Sequence, residues 1–445
     1  MGLPKGPSLP GFVQTFLWIR RPIELMRSCR QKFGRVFTIR IEMIGDVVFL
    51  SDPEAIRQVF TGDPDALRAG SVNAVLRPLL GDASLLLLDG REHLRQRKLL
   101  SPPFHGENVR RYAAAMAEIA DRVSEGWTAH ETVVLRPAMQ RMTLEIILRV
   151  VFGFETGPAL DRMRAVLERL LSIADSGYGA VALVPALRRD WPGSPWRKFL
   201  RDRAEADALI YDQIRRRKRS LEKGERHDDV LDVLLQARDE AGLPIEEREL
   251  RDELMTLLVA GHETTATALC WSFERVLSDD RVLRCLRDTV DAAQGTIDGA
   301  DSSNLEYIDA VVKEALRTRP IVPIVGRRVF EKQSIAGHDI EPGAVLAPCI
   351  YLTHREADQF PEPDVFRPER FIGRRPDPYA WFPFGGGARR CVGMAFALFE
   401  MRVIIARLFS RFSFRLDEPK AVGTVRRAVT FAPRGGVHVR VERRA

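Results

Sequence analysis

At 445 residues, 45% hydrophobic and 29% charged, the chain has the make-up of an ordinary soluble globular protein able to bury a large core, which excludes a disordered or fibrous class. Its net charge of +7 comes from basic residues spread among acidic ones, the pattern of solvated helix faces and not of a nucleic-acid-binding surface. The five cysteines, Cys29, Cys270, Cys285, Cys349 and Cys391, are odd in number, far apart and never in C-x-x-C spacing, so a disulfide framework or zinc site is excluded and a reducing cytoplasm is expected.

In chain order, the first apolar stretch covers residues 11–19. It is interrupted by Gln14, closed by Arg20 and Arg21, and far short of the ~18 residues a membrane span needs. No signal peptide is evident. Strand-like alternation follows at residues 36–41 and 47–50, then a helical period at 53–60. Residues 90–97 place His93 and Arg97 four apart on one helical face. Further helices are predicted over 108–127, 141–152, 160–173 and 196–223, the last carrying the basic run 215–219 near its end.

The helix predicted over residues 246–277 is largely apolar at its centre and should run through the core. Inside it stands Ala260-Gly261-His262-Glu263-Thr264-Thr265. Glycine costs about 1 kcal/mol against alanine in a helix interior. Thr264 can bond back to the carbonyl of Ala260 and bend the ladder. A buried helix weakened at its midpoint makes room for a ligand, and an acid beside an alcohol suits proton delivery there.

Downstream, the helical run 305–318 sets Glu314 and Arg317 three apart, close enough for an ion pair. Gly326-Arg327-Arg328 precedes a strand-like stretch, and the turn Glu341-Pro342-Gly343 precedes another at 344–347. Phe384 to Gly393, FGGGARRCVG, ends a glycine-rich, arginine-bearing loop on a lone cysteine just before an apolar helical segment. A soft sulfur there is held as an anion by the helix's positive end and nearby arginine, the state that ligates iron. Gly385, Gly386 and Gly387 let the backbone bend and approach a flat cofactor, with Phe384 packed beside it. A phosphate-cradling G-x-G-x-x-G reading fails, because Arg390 stands where its last glycine belongs. A final strand is predicted at 437–441, and there is no internal repeat, low-complexity tract or second-domain boundary.

The spacing F-x-x-G-x-R-x-C-x-G, filled by Phe384, Gly387, Arg389, Cys391 and Gly393, resembles the haem-binding signature of the cytochrome P-450 monooxygenases, soluble bacterial type. Three further motifs agree. Residues 260–265 resemble the oxygen-activation motif A-G-x-[D/E]-T-T, Glu314 to Arg317 resembles E-x-x-R, and Arg370 in Pro368-Glu369-Arg370-Phe371 resembles its partner arginine. The resemblance implies a mainly α fold with a small β portion, one domain over residues 1–445 without a fused reductase, and haem b between the central helix and the Cys-bearing loop. Cys391 is then the axial iron ligand, whose thiolate favours O–O cleavage. Glu263 and Thr264 are the catalytic proton-delivery pair acting on dioxygen or water.

By the same resemblance, Ala260, Gly261, Phe384, Gly385 and Gly393 contact the cofactor, and Arg389, His93 and Arg97 reach its propionates, histidine standing where the family often has tryptophan. Arg328 is the first choice for a further propionate donor, from its distance to the Pro342-Gly343 turn, with Arg327 the fallback. The substrate wall is expected at Asn73 and Val75, at Thr256 and Val259, at Val322 and Ile324, and at Val429 and Thr430. These stretches are mainly apolar, so a hydrophobic substrate is implied, with Asn73 or Arg77 as a polar anchor. The expected reaction is hydroxylation or epoxidation of a fatty acid, terpenoid or steroid, with macrolides and other polyketides open. Electrons come from NAD(P)H through a separate ferredoxin or flavodoxin and its reductase, with Arg95, Lys98 and Arg402 available to steer an acidic donor. The protein is expected to be a cytoplasmic monomer. Competing readings are a peroxide-driven peroxygenase and a non-catalytic haem sensor.

Overall fold

The computed structural model describes residues 2–154, 157–175, 188–293, 305–418 and 422–444, with backbone alone at 171–175. Helices dominate, arranged around Glu247–Leu277, whose 31 residues make it about 46 Å long. A capping box between Glu246 and Glu249 starts this helix by satisfying its first N–H groups. Its middle is buried on nearly every face, which is why its sequence shows no clear amphipathic stripe. Helices Leu135–Ile146, Pro195–Glu222, Glu306–Thr318 and Met394–Arg411 pack against it. Among the described residues, no helix is long and apolar enough to cross a membrane.

The β portion lies to one side. A five-stranded sheet runs in the order Val36–Ile41, Gly45–Leu50, Val345–Pro348, Arg327–Val329, Leu67–Arg68. Gly45–Leu50 pairs in parallel with Val345–Pro348, placing Val47 opposite Val345, and the other pairs are antiparallel. A second sheet joins Thr132–Val134, His438–Arg443 and Phe412–Leu416. The hairpin Thr424–Arg427 with Thr430–Pro433 returns to the central helix, where Trp271 Nε1 donates to the Phe431 carbonyl (3.4 Å).

Most long elements fall where their periodicity places them, and the differences are local. The helix expected over 108–127 is two, Glu107–Arg111 and Ala113–Ser124, joined at Tyr112. The helix expected from 141 begins at Leu135, with Pro137 in the first turn, where a missing N–H costs nothing, and it ends in the wider turn Ile147–Val151. The opening apolar stretch forms the helix Gly11–Arg20, and a second helix, Pro22–Phe33, follows it that the sequence reading did not predict.

Candidate functional site

The cysteine loop is set by glycine geometry. Gly385 and Gly387 adopt φ of +69° and +62°, a region that L side chains avoid. A Cβ on Gly386 would lie 2.2 Å from the Phe60 ring, and one on Gly387 2.2 Å from the Phe60 carbonyl. At two of the three glycines the missing Cβ therefore makes room for helix Pro53–Thr61. The Cys391 N–H donates to the Phe384 carbonyl (2.9 Å), and Gly393 caps helix Met394–Arg411. The Phe384 ring lies 6.5 Å from that of Trp381, near edge-on.

The Cys391 side chain is accessible yet surrounded by protein, so it faces an internal space and not bulk water. Burial pushes its thiol up, opposed by the Gly393 N–H and by Arg97. Burial alone does not hold the sulfur as an anion. A coordinated metal ion would, since it deprotonates a thiol outright.

Around this sulfur stands a surplus of cations. Helix Gly90–Leu100 brings His93 and Arg97 to its inner face. His93 is buried, and that burial, with Arg389, Arg97 and Arg327, pushes its imidazolium down to about 3, so the ring is neutral. Arg97 makes no side-chain hydrogen bond or ion pair among the described residues, and burial lowers its pKa. Arg327 is buried against the Phe60 ring and is pushed down to about 10 by burial, with Arg389 adding to the effect. Arg389 donates to the carbonyls of Leu85 (3.2 Å) and Leu88 (2.5 Å) and pairs with Asp89. Asp89 also accepts from the N–H groups of Ala69 (3.0 Å) and Gly70 (2.9 Å). Of these three guanidinium groups only Arg389 is paired with a carboxylate, Asp89, which leaves a donor set that fits the two propionates of a haem.

The pleat of strand Arg327–Val329 decides between the paired arginines. Arg327 turns inward, whereas Arg328 turns out and donates to the Gly343 carbonyl at the turn (2.8 Å). Arg328 read the turn spacing correctly but faces the other way, so Arg327 replaces it in the cluster.

On the central helix, Ala260 is exposed between buried Leu258 and His262, so this point of an otherwise buried helix opens onto space. Thr264 Oγ1 donates to the Ala260 carbonyl (2.5 Å). Glu263 turns away and accepts from Arg136 Nη2 (2.8 Å) and Gln140 Nε2 (2.5 Å) of helix Leu135–Ile146. A Cβ on Gly261 would lie 3.1 Å from Ile147 Cδ1, so this glycine admits the neighbouring helix. Sequence reasoning missed Glu253, which lies seven and eleven residues before Ala260 and Thr264 on the same stripe. Burial holds its carboxyl well above the usual range, beside Leu85 and Gln96. An acid directly preceding an apolar helical run was its signal.

Glu314 and Arg317 are fully buried and bidentate, with N···O distances of 2.6 and 2.8 Å, and Arg370 Nε lies 3.4 Å from the same carboxylate. Arg317 also donates to the carbonyls of His354 and Pro363, both at 2.8 Å. His354 Nε2 in turn accepts the Phe382 N–H (3.1 Å), and the Phe382 carbonyl accepts the Gly385 N–H (2.9 Å). A continuous chain of hydrogen bonds therefore links helix Glu306–Thr318 to the cysteine loop, and His354 is a link the motifs did not reveal.

The expected wall segments converge. A Cβ on Gly326 would meet Val72 Cγ1 at 2.7 Å, and the Phe431 N–H donates to the Ile321 carbonyl (2.7 Å). Val75, Val259, Val322 and Ile324 are half-buried, whereas Val429 is exposed near the hairpin tip. The polar members are already engaged. Asn73 donates to the Leu86 carbonyl (3.0 Å), Thr256 bonds the Asp252 carbonyl (2.6 Å) and Ser84 Oγ (2.7 Å), Thr430 donates to the Arg427 carbonyl (3.0 Å), and Arg77 pairs with Asp82 (3.3 Å). Arg95, Lys98 and Arg402 are likewise matched, by Asp239 and Glu249, by Glu240 and by Asp309.

Comparison with known proteins agrees with this geometry. A family model described as Cytochrome P450 matches residues 4–436. Cytochrome P450 135B1 of Mycobacterium tuberculosis is 40% identical over 442 residues, 99% of this chain and 92% of that protein. Cytochrome P450 135A1 of the same organism is 35% identical, over 99% and 95%. The solved retinoic acid-bound cyanobacterial CYP120A1 superposes with a TM-score of 0.83 at 26% identity, with both chains fully covered.

Proposed function

The chain belongs to the cytochrome P450 family, and from that premise we propose that it hydroxylates or epoxidises a fatty acid, terpenoid or steroid, drawing electrons from NAD(P)H through a ferredoxin or flavodoxin and its reductase. The observation that carries the reading is the surplus of buried guanidinium groups around an accessible Cys391. Cys391 would hold the iron of haem b, and the bound group would supply the redox chemistry that inserts one atom of O2 into the substrate and reduces the other to water. Residues 1–445 act as one catalytic domain.

The remaining chemistry belongs to the protein. Arg97, Arg327 and Arg389 hold the propionate edge, and neutral His93 offers a ring N–H there without adding charge. Thr264 Oγ1 holds a proton beside the opened stretch of helix. Glu263 carries protons from the junction with helix Leu135–Ile146, which requires it to exchange its bonds to Arg136 and Gln140 for a water or for Thr264. The apolar wall keeps the site dry and orients the substrate mainly by its shape.

Two expected outcomes follow from this assignment. Thr264→Ala should keep haem and substrate binding but divert electrons to peroxide, because a proton-delivering group is lost; the ratio of product to NAD(P)H consumed, measured with an added redox partner, should fall well below the parent's. Coupling equal to the parent's would remove Thr264 from proton delivery. Arg327→Gln should lower haem retention during dilution, whereas Arg328→Gln should leave it unchanged, and the reverse order would restore Arg328 to the cluster.

Substrate class is tested by spectral titration of the ferric protein against fatty acids, terpenoids and steroids. The retinoic acid in the cyanobacterial neighbour supports including isoprenoid carboxylic acids. A panel that leaves the spin state unmoved would refute the proposed classes.

A further inference from the structure

Helix Gly11–Arg20 is seated with an apolar stripe turned outward. It buries Gln14 and Trp18 and turns Phe12, Phe16 and Ile19 outward, at 67%, 59% and 57% exposure. Spacings of four and seven residues put the three on one stripe. Gln14 enforces this orientation. Its amide donates to the carbonyls of Pro7 (3.1 Å) and Leu9 (2.7 Å) and accepts the Arg40 N–H (2.9 Å). Beside it, Thr15 Oγ1 accepts the Glu42 N–H (3.0 Å). Rotating the helix to bury its phenylalanines would strip these bonds from buried groups, so the apolar face is held outward.

The turn of the neighbouring hairpin, whose Glu42 N–H bonds Thr15, carries exposed Met43 and Ile44, and exposed Leu9 precedes the helix in the chain. Seven of the fourteen exposed large apolar side chains among the described residues lie between positions 3 and 44, so apolar exposure is concentrated in this opening segment. Its flanks are basic. Lys5, Arg20 and Arg21 are exposed and make no ion pair among the described residues, against the exposed acids Glu24 and Glu42.

We propose that this face docks on the surface of an anionic phospholipid bilayer, Phe12, Phe16, Ile19 and Met43 entering the headgroup boundary and Lys5, Arg20 and Arg21 meeting lipid phosphates. An apolar stripe with a cationic flank on a helix of 10 residues is an interfacial device, too short to span. A symmetric dimer through the same patch would bring the unpaired cations of two copies together, which disfavours that occupant. The inner side of the helix, Leu17 and Trp18, packs in one cluster with Val72, Ile324 and Phe431. If those segments line the substrate site, as proposed above, docking sets that wall beside a reservoir of apolar substrate. The docking itself does not rest on the haem reading.

The test is co-sedimentation of the haem-loaded protein with vesicles of phosphatidylcholine, alone or with about one third phosphatidylglycerol. The unmodified protein should pellet with the anionic vesicles. Phe12→Ser with Phe16→Ser should lower that partition about tenfold or more. Arg20→Gln with Arg21→Gln should lower it on anionic vesicles only. Haem spectrum and thermal midpoint, unchanged in both double variants, show that folding is intact. Unmodified protein left in the supernatant, or equal partition of Phe12→Ser with Phe16→Ser, overturns the proposal. So does a concentration-dependent dimer that this pair of substitutions dissociates without vesicle binding, which would identify the face as a homodimer interface. Loss of the reduced-CO signature would count against the haem reading and leave the docking result standing.

Discussion

Cys391→Ala is expected to abolish the thiolate-type absorption of the reduced, CO-treated protein and all O2-dependent product formation, while leaving the fold in place. The loop around Cys391 is held by groups other than its sulfur. Its N–H closes the loop onto the Phe384 carbonyl, Gly385 and Gly387 supply the left-handed turns, and Gly393 caps the following helix. The sulfur faces an internal space, so removing it leaves neighbouring side chains packed as before. Haem ligation should therefore fail without unfolding. Thermal unfolding of the haem-free forms separates the two, and the variant should melt within a few degrees of the parent, the shift of about 1 kcal/mol or less. A surviving thiolate signature would defeat the assignment of Cys391 as ligand.

Arg317→Ala is expected to have the largest effect on stability, a loss of about 3 kcal/mol, because it strips buried Glu314 of its bidentate partner and leaves only Arg370, at 3.4 Å, to offset the charge. It also strips a donor from the carbonyls of His354 and Pro363 and breaks the chain of hydrogen bonds to Phe382 and the cysteine loop. Urea unfolding measures the first effect, and haem content after purification measures the second. Replacing both partners with apolar residues of similar volume, Glu314→Leu with Arg317→Met, should recover much of the stability but not the haem content, since no donor is restored to the 354–363 segment. A cost for Arg317→Ala below about 1 kcal/mol would reduce the pair to the worth of a surface contact.

The legible parts of this protein were those written locally. The central helix, the E-x-x-R helix and the cysteine loop lie where period and spacing put them, because helical geometry and left-handed turns depend on residues a few positions apart. Glu314 and Arg317 could be paired in advance for the same reason. Arg327 and Arg328 could not be told apart, because adjacent strand residues point to opposite faces and only the pairing with Val345–Pro348 says which face is inside.

By itself, then, the sequence determined the family and the mainly helical class, and it nominated Cys391 as ligand and Glu263 with Thr264 as the proton-delivery pair, all carried by short motifs with strict internal spacing. Tertiary structure alone decided that Gly386 and Gly387 make room for Phe60, that Glu263 is held by Arg136 and Gln140, that Asp89 takes up Arg389, and that Phe12 and Phe16 face outward. Each of those outcomes depends on a contact between separate segments, and what a side chain meets there is set by packing and desolvation, which no local pattern encodes.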